Sequence, residues 1–544
     1  MKNVLVIGSG ISGMTCAVML AKKNVSVTLI SPFPSERSQS VMAAGGINGV
    51  TSEHEEGDSV ESHIEDTFKG GKFEGERKSV VSLCQNAGNI IDYLERIGTV
   101  FSVDEHGRPA RRAFGGQSHK RTHYCGSSTG KQIVSALIME VRRYEAEGLI
   151  QRKLWKCFHS ALIRNGVCYG ALLFDEGIRG LEAVCSDAVV IATGGQNALF
   201  GKTTGSTGCD GYTAGKLYEQ GVVLKNLEFI QYHPTTIETP AKRMLISEAV
   251  RGEGGRLFYE KDGRRVYFME DKYGPNGNLM TRDVVSREIA SAGSQVYLDI
   301  SFLDKETIGK RLPEVRDLCL KYRGIDITRE PIPVAPSVHF FMGGIAVDLM
   351  HETNVKNLFA VGECASIYHG ANRLGGNSLL AAVHGGMTAA DVIAARDFPA
   401  SHEDFSDYLK KEDDALKSRL QSRSQFPSVY IKDVIASVMN NNLGIVREEA
   451  SLVKGIENID YYLSVEPSIS YDASVMPYFN YSVHGLLLLS RAVLTCAEFR
   501  KESRGAHYRS DFPDTDERFS HATLSSYDGG KFSVRLDEEG EYEG

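Results

Sequence analysis

The sequence predicts an α/β fold built on a parallel, Rossmann-like sheet, and three observations predict it. The chain opens with an apolar strand, 4–7, followed by a helical pattern and a second apolar strand, 25–30. A glycine-rich turn joins the first strand to the helix. Two later segments, 187–195 and 357–363, are again apolar strands that end in glycine-containing turns. Continuous apolar runs are typical of strands that are buried on both faces of a parallel sheet.

The turn after the first strand spans 8–13 and has glycine at its first, third and sixth positions. Inside a complete β-α-β unit this spacing predicts a dinucleotide site. Gly8 permits the tight turn, Gly10 lets a pyrophosphate approach the backbone, and Gly13 allows the helix and strand to pack closely. The second strand is followed by Ser31 rather than an acidic residue. A hydroxyl or a backbone group must therefore contact the ribose.

Composition excludes several other classes of protein. The 544 residues are enough for two to four domains, and the net charge of −9 argues against a nucleic-acid partner. We find no apolar run of 18 residues, so no membrane span of its own is expected. The first eight residues predict a strand rather than a signal peptide. The ten cysteines form no Cys-x-x-Cys pair, so neither a disulfide framework nor a metal site is predicted, and a reduced, cytoplasmic setting is expected. Any iron–sulfur centre must come from another chain.

The two later strands favour a flavin nucleotide over a nicotinamide nucleotide. The first ends in Ala192-Thr193-Gly194, and the second is followed by Glu363. FAD proteins with two dinucleotide-binding motifs are similar, with Thr-Gly-Gly near the nucleotide and a late acidic residue near the ribityl chain. Because these segments are so far from residue 8, one nucleotide domain must be interrupted by a long insertion.

Further motifs follow one another through most of the chain, at 38–47, 58–71, 114–117, 231–235, 251–255, 281–285, 339–344, 370–379 and 502–509. Together and in this order they resemble the succinate dehydrogenase/fumarate reductase flavoprotein family, which includes L-aspartate oxidase.

The resemblance implies FAD and a set of residues that contact it. Beyond the glycines and strand ends above, the implied contacts are Ser12, Ser31, Ser38, Gln39, Ser40, Ala44, Gly45, Gly46, Asp210, Arg373, Asn377, Ser378 and Leu379. A helix is predicted over 377–394, with Asn377 or Ser378 as its N-cap. By resemblance its N-terminus points at the flavin, where the helix dipole would stabilise the reduced, anionic form.

The family's reaction, between a C4 dicarboxylate and its alkene, requires groups that this chain has. Two carboxylates need cationic clamps, and His233, His339 and Arg373 are of the right type, since a guanidinium binds a carboxylate through a two-pronged hydrogen bond. Ser247 supplies a hydroxyl where the family more often has threonine. Phe114 completes the implied substrate site.

The reaction also needs hydride exchange at flavin N5 and a proton donor at the second carbon. By resemblance the donor is Arg282. Free arginine is always protonated, so this role needs a relay that returns the proton, and Glu248 and Arg251 match the family's relay.

Two positions help to predict which branch of the family the chain resembles. Many respiratory members have a histidine that bonds covalently to the flavin where this chain has Gln39. Glutamine has no nucleophilic ring nitrogen, so FAD is expected to be non-covalent, which should favour fumarate reduction over succinate oxidation. L-Aspartate oxidases have an acidic residue in place of Phe114, and a phenyl ring suits an unsubstituted dicarboxylate instead.

The leading hypothesis is therefore the flavoprotein catalytic subunit of a fumarate reductase or succinate dehydrogenase. L-Aspartate oxidase, a stand-alone soluble fumarate reductase and a catalytically inactive FAD-binding scaffold are the alternatives. The resemblance implies an iron–sulfur subunit as partner, with a membrane anchor or another electron donor beyond it. The protein would then be cytoplasmic, or peripheral on the cytoplasmic face of the inner membrane.

The predicted organisation is a Rossmann-like FAD-binding domain interrupted by an α+β capping domain and followed by a C-terminal helical domain. The FAD-binding domain spans 1–230 and 335–400, and the capping domain spans 231–334, where closure would exclude water. The C-terminal domain spans 401–544. Its last residues, 537–544, are acidic and are expected to fray in solvent.

Overall fold

The computed structural model describes residues 1–72, 77–240, 242–398, 403–421, 426–465, 470 and 477–542. The strands in these residues are, in chain order, β1 (Asn3–Ile7), β2 (Ser26–Ser31), β3 (Ile47–Asn48), β4 (Arg111–Arg112), β5 (Thr122–His123), β6 (Ile150–Leu154), β7 (Lys156–Arg164), β8 (Val167–Asp175), β9 (Gly180–Cys185), β10 (Ala188–Ile191), β11 (Leu224–Lys225), β12 (Ile230–Glu238), β13 (Arg243–Leu245), β14 (Arg256–Lys261), β15 (Arg264–Val266), β16 (Val296–Asp299), β17 (Ile332–Phe341), β18 (Gly344–Ala346), β19 (Leu358–Ala360), β20 (Ala365–Ser366), β21 (Val446–Arg447), β22 (Tyr508–Arg509), β23 (Thr523–Asp528) and β24 (Lys531–Leu536).

The α-helices are α1 (Ile11–Lys22), α2 (Val60–Gly70), α3 (Arg77–Gln85), α4 (Ala87–Arg96), α5 (Thr129–Ala146), α6 (Tyr212–Glu219), α7 (Ala249–Gly252), α8 (Phe268–Tyr273), α9 (Arg282–Ser291), α10 (Lys305–Arg311), α11 (Pro313–Arg323), α12 (Asn377–Ala395), α13 (Ser406–Gln421), α14 (Ser428–Val438), α15 (Glu449–Val465), α16 (Pro477–Tyr481) and α17 (Val483–Phe499).

A five-stranded parallel sheet in the order β19-β10-β1-β2-β6 forms the centre of the first region. Val6 of β1 pairs with Leu29 on one side and Val190 on the other, and all three side chains are buried. The four strands predicted from apolar runs are present, and the predicted α/β fold is confirmed. Because all five strands are parallel, their carboxyl ends share one edge, which is where such sheets bind ligands.

Helices α1 and α12 pack closely against each other, and α1 packs against the sheet. A side chain at Gly13 would overlap the carbonyl oxygen of Gly8, and one at Gly386 would come within 2.6 Å of the carbonyl oxygen of Ser12. Only glycine allows the backbones to approach this closely. This agrees with the packing role predicted for Gly13.

The N-cap predicted for α12 is wrong. The cap residue is Gly376, which has a φ of +87°, and no side chain caps the helix. A side chain at Gly376 would overlap the amide of Asn48. The side chain of Asn377 is used elsewhere: it donates to Thr67 at 3.0 Å and accepts from Asn48 at 2.7 Å.

A six-stranded antiparallel sheet in the order β13-β12-β17-β16-β14-β15 lies in the region predicted as a cap. It has its own hydrophobic cluster, in which Leu257, Leu298 and Ile332 are fully buried. The mixture of strands with helices α7 to α11 is that of an α+β unit. The domain limits at 231 and 334 stay a prediction.

Helices α13 to α17 make the C-terminal region mostly helical, but it also contains a β-hairpin that was not predicted. Strands β23 and β24 join a sheet in the order β20-β18-β11-β23-β24, so the end of the chain is tied to the earlier regions. Gly529-Gly530 between two strand-like segments is a standard hairpin signal.

The expectation of a frayed tail is wrong for its first six residues. Asp537 is fully buried, and its carboxylate accepts the backbone N–H groups of Glu541 at 2.8 Å and Tyr542 at 3.3 Å. Tyr542 is itself buried against Leu524 and Ala346. Residues 543–544 lie outside the described residues.

Two described helical segments are long and apolar enough to cross a membrane by length and composition, although no such segment was expected. They are Asn377–Ala395 and Tyr478–Phe499, and 56% and 72% of their most apolar windows are buried inside the protein. Such burial is typical of the core helices of globular domains.

Candidate active site

One cleft opens at the carboxyl ends of β1, β2 and β10 and continues to the six-stranded sheet. It brings together most of the residues predicted for the site, from segments that are far apart in the sequence. Those that line it are Gly8, Gly10, Ser12, Ser31, Ser38, Gln39, Ser40, Ala44, Gly45, Gly46, Phe114, Ala192, Thr193, Gly194, Asp210, His233, Ser247, Glu248, Arg282, His339, Glu363, Arg373, Ser378 and Leu379.

Three predicted site residues lie outside the lining of the cleft. Gly13 lets α1 pack against the turn after β1. Asn377, the first residue of α12, hydrogen-bonds Thr67 and Asn48. Arg251 is buried behind Glu248 and touches the cleft only through it.

The end of the cleft near β1 fits a dinucleotide. Gly8 has a φ of +113°, and a side chain there would overlap the carbonyl oxygen of Ala192. The start of α1, whose N–H groups and dipole attract phosphate, opens onto the cleft. The hydroxyl of Ser38 and the side-chain carbonyl of Gln39 line it and are buried without hydrogen-bond partners among the described residues. Buried polar atoms without partners suit a polar ligand such as FAD.

The last residue of β2, Ser31, and the acidic residue after β19, Glu363, differ in how they are hydrogen-bonded. The hydroxyl of Ser31 donates to the carbonyl of Phe33, so its oxygen can still accept a ligand hydrogen bond. The carboxyl of Glu363 accepts the N–H of Phe341 at 3.2 Å. Burial raises the pKa of Glu363 to about 7, and the Phe341 N–H and the charge of Arg373 oppose the rise. An uncharged carboxyl therefore faces the cleft in mildly acidic conditions.

The far end of the cleft contains a hydrogen-bonded row of charges. Glu248, the residue before α7, accepts from Arg282 at 2.8 Å through one oxygen and from Arg251 at 3.2 Å through the other. Arg282 is the first residue of α9, where the helix dipole disfavours a cation, so it depends on Glu248 for compensation. Burial would raise the pKa of Glu248, but the two guanidinium groups outweigh it and hold that pKa at about 2.

Gln231 connects two of the guanidinium groups that face the cleft. Its side-chain oxygen accepts from Arg282 at 3.0 Å and from Arg373 at 3.0 Å, and its amide donates to the backbone carbonyl of Arg373 at 2.8 Å. Two cations are thereby held side by side. Gln231 lies in a motif that the sequence displayed, but its role as a bridge depends on the folded positions of both arginines.

Arg373 is short of acceptors in this structure. Its guanidinium lies 4.3 Å above the ring of Phe340, and its Nε is buried without a hydrogen-bond partner among the described residues. Burial and the charge of Arg282 lower the pKa of Arg373 to about 9. A bound anion would supply the missing acceptor and restore the ordinary preference for the charged form.

Two β-bulges direct the histidines into the cleft. The register between β12 and β17 shifts once at His339 and again at Pro234, which has no N–H to donate. His233 and His339 consequently lie with ring centroids 5.3 Å apart. Burial and then the neighbouring Arg282 lower the pKa of both histidines well below the usual value. Both rings are therefore neutral, and Nε2 of His233 is buried without a partner among the described residues.

Phe114 lies over the cleft between two glycines. A side chain at Gly45 or at Gly375 would come within 3.1 Å of its ring, and its backbone N–H donates to Gln117 at 3.0 Å. Ser247 also lines the cleft, and its hydroxyl accepts the N–H of Ala249 at 3.3 Å. With Arg282, Arg373 and Arg251 against Glu248, this end carries a net positive charge suited to a dianion.

Several lining residues were missed by sequence reasoning. They are mainly Thr204, Lys156, Cys157, Phe158, Lys242, Arg243 and Tyr478. They lie in a loop, in two β-strands and their flanks, and in a late helix, with no motif that marks them. Their place in the cleft depends on how separate sheets meet, which a single sequence pattern does not express.

Comparisons with protein-family models agree with this arrangement. Residues 3–379 match the family described as FAD binding domain, and residues 432–540 match the family described as fumarate reductase flavoprotein C-term. The first match covers more than half of the chain.

Known proteins are similar over almost the whole chain. The succinate dehydrogenase flavoprotein subunit of Bacillus subtilis is 35% identical, over 96% of this chain and 94% of its own length. The L-aspartate oxidase of Nostoc is 33% identical, over 94% of this chain and 91% of its own length. Among solved structures, the flavoprotein chain of an E. coli quinol fumarate reductase variant matches with a TM-score of 0.89 and 28% identity, covering 98% of this chain and 97% of that one.

Proposed function

Because the chain belongs to the succinate dehydrogenase/fumarate reductase flavoprotein family of FAD-dependent oxidoreductases, we propose that it interconverts fumarate and succinate and favours fumarate reduction. One observation carries the proposal. Arg282 and Arg373 face the cleft side by side, each donating to the side-chain oxygen of Gln231, and the apolar ring of Phe114 lines the same cleft.

In this proposal the substrate is held by cleft-lining groups, two of which, Arg373 and His233, have a buried nitrogen without a partner among the described residues. Arg373 and His339 would bind one carboxylate and His233 with the Ser247 hydroxyl the other, so that the alkene lies beside Arg282. A guanidinium hydrogen-bonds a carboxylate more strongly than a neutral donor does. Phe114 keeps water away from the alkene and leaves no acceptor for a substituent on it.

The proton at the second carbon comes from Arg282. When bound, FAD supplies the hydride that adds to the first carbon. Arg282 would give one N–H proton to the carbon while a proton passes from Arg251 through Glu248 to Arg282, and solvent would then return a proton to Arg251. Glu248 suits this transfer because each of its oxygens contacts a different guanidinium. Holding the three groups in place before reaction avoids the cost of arranging them during it.

We expect the FAD to be bound without a covalent link. Gln39 lines the cleft with its side-chain carbonyl unpaired among the described residues, and an amide does not attack a flavin methyl group. After acid precipitation, the flavin should be in the supernatant. Flavin that stays with the precipitated protein would contradict this.

L-Aspartate oxidase is the second candidate, because a relative with that name is 33% identical. Phe114 argues against it, since a substrate ammonium group needs an acceptor and the ring offers none. Glu248 does not fill the role, because Arg282 and Arg251 already occupy its two oxygens.

Partner proteins remain part of the proposal. Relatives named as flavoprotein subunits support an assembly in which an iron–sulfur subunit passes electrons from a quinol or another donor. Such an assembly would place the chain in the cytoplasm or at the cytoplasmic face of the inner membrane. Co-purification with an iron–sulfur protein from the native organism tests this, and recovery of an active single chain would favour a stand-alone reductase.

The test of the activity is anaerobic. FAD-loaded protein is mixed with reduced viologen, and dye oxidation is followed when fumarate is added. A parallel aerobic sample with L-aspartate is assayed for hydrogen peroxide. We expect fumarate-dependent dye oxidation and no peroxide. Peroxide from aspartate would overturn the proposal in favour of L-aspartate oxidase, and activity in neither sample would favour the inactive scaffold.

A further inference from the structure

We propose that a hydrogen bond between Asn372 and Asp283 fixes the spacing of the two arginines that face the cleft. Asn372 precedes Arg373 in the chain, and Asp283 follows Arg282 on α9. Both are positioning residues, because they act on the substrate through the arginines beside them. The inference rests on the proposed function, since that function places both arginines at a dicarboxylate.

The contact joins the start of α9 to the loop before α12. The side-chain amide of Asn372 donates to the carboxylate of Asp283 at 3.1 Å, and its side-chain oxygen accepts from Gln231 at 2.8 Å. Asn372 is buried and Asp283 is half-buried. Because each arginine is the sequence neighbour of one partner, the distance between the two backbones at this point sets the distance between the two guanidinium groups.

The loop that carries Asn372 has little freedom to move away from α9. The N–H of Ala371 donates to the carbonyl of Gly71 at 3.0 Å, and the carbonyl of Ala371 accepts the N–H of Ala506 at 3.0 Å. A side chain at Gly505 would come within 2.5 Å of that same carbonyl oxygen. The Asn372 side chain is therefore presented to α9 from a fixed backbone.

The direction of the hydrogen bonds is unambiguous. An ionised carboxylate only accepts, so Asn372 turns its NH2 group toward Asp283 and its oxygen toward Gln231. Gln231 uses its own NH2 group on this oxygen and on the backbone carbonyl of Arg373, which leaves its oxygen for the guanidinium groups. Each amide polarises the next in the same sense. Asp283 lies in the first turn of α9, where the helix dipole stabilises its negative charge.

The arginines need this tie because they repel each other. Burial and then the charge of Arg282 lower the pKa of Arg373 to about 9. Gln231, which bridges the two guanidinium groups, is neutral and offers them a single oxygen. The hydrogen bond to Asp283 adds a charged attraction between the two elements. Spacing matters for the reaction, because a misplacement of about 1 Å can cost about 10²-fold in rate.

The first test exchanges the two side chains in the FAD-loaded protein and uses the fumarate assay at pH 8. Asn372→Asp alone sets two carboxylates against each other, and kcat should fall about tenfold or more. Adding Asp283→Asn to that variant restores a donor facing a carboxylate and the net charge of the wild type, so kcat should return to within about threefold of wild type. Asp283→Asn alone still offers an amide oxygen and should have an intermediate effect.

The matched control is Asn197→Asp. Asn197 is also buried, its side-chain oxygen accepts from Thr203 at 3.2 Å, and it is not part of the cleft lining. We expect its kcat to stay within about threefold of wild type. Wild-type kcat in Asn372→Asp, an equal loss in Asn197→Asp, or no recovery in the double variant would each overturn the inference.

The second test needs no turnover and so separates this inference from the proposed function. Malonate, a dicarboxylate that cannot form an alkene, is titrated into the oxidised FAD-loaded proteins, and binding is followed by flavin absorbance. Kd should rise about tenfold in Asn372→Asp and return toward the wild-type value in the double variant. That order of Kd without fumarate reduction would overturn only the proposed function. Equal Kd values in the wild type and Asn372→Asp would contradict the inference, and no binding to the wild type would overturn both.

Discussion

The two ends of the cleft differ in whether backbone or charged side chains form them. Near β1 the cleft is made of backbone, and glycines such as Gly8 and Gly13 are needed because any side chain would overlap a neighbouring carbonyl. At the far end it is made of charged side chains, in which Glu248 and Gln231 hold Arg282, Arg251 and Arg373 in place. The first arrangement suits a large nucleotide, and the second suits a small anion.

Buried carboxyl groups show the same contrast. Glu363, which has one N–H donor, has its pKa raised by burial to about 7. Glu248 is the more buried of the two, but two guanidinium groups hold its pKa at about 2. The difference teaches that the substrate end provides enough positive charge to ionise a buried acid, and the nucleotide end does not.

The largest expected effect comes from a substitution that disrupts only the substrate end of the cleft. Arg282→Ala should lower the rate of fumarate reduction about 10³-fold, because it removes the proposed proton donor. The FAD content and flavin spectrum should stay as in the wild type, since Arg282 belongs to the substrate end. Stopped assays of activity against measured FAD content check this. Loss of FAD from the variant would show that the two ends are not separable.

The next largest effect comes from a substitution that disrupts the nucleotide end of the cleft. Gly13→Ala places a methyl group against the carbonyl of Gly8 and should destabilise the folded protein by about 3 kcal/mol, with loss of FAD. Gly309→Ala is the control, because no atom lies within 4 Å of the added methyl group. Thermal unfolding and FAD retention are the measurements. Equal behaviour of the two variants would contradict the account of the glycine turn.

The third prediction sharpens the contrast between the acids. The pKa of Glu248 falls from 4.5 to about 2 on folding, so its ionised form stabilises the protein above pH 4.5, and this stability is lost as pH falls toward 2. The loss should be about 3 kcal/mol. In Glu248→Gln that part of the acid dependence should disappear. Urea unfolding followed by circular dichroism across this pH range measures it, and parallel curves for both proteins would be the contrary result.

The last effect is of similar size and has the opposite sign. Glu363 keeps its proton on folding up to about pH 7, whereas the unfolded chain releases it near 4.5. Stability of the FAD-free protein should therefore fall as pH rises from 4.5 to 7 and change no further from this group above 7. Glu363→Gln should lack that fall. A variant that retains it would show that Glu363 is ionised in the cleft.

The contrast also explains what could be predicted from the sequence. The phosphate-binding turn of the nucleotide end lies on one contiguous segment, so the spacing of Gly8, Gly10 and Gly13 was enough to predict that turn. The residue types of the far end were predicted through the family resemblance. The hydrogen bonds of these residues could not be predicted, because Gln231 and Thr204 contact side chains that are more than 50 residues away in the sequence. The cap at Gly376 was missed for the same reason, since its need for glycine comes from Asn48.

The most direct measurement of the central claim is a single turnover. FAD-loaded protein is reduced anaerobically, mixed rapidly with one equivalent of fumarate, and followed by flavin absorbance. The account predicts full reoxidation by fumarate in the wild type, and none on that timescale in Arg282→Ala with the same FAD content. Reoxidation by fumarate at equal rates in both proteins would show that Arg282 does not supply the proton.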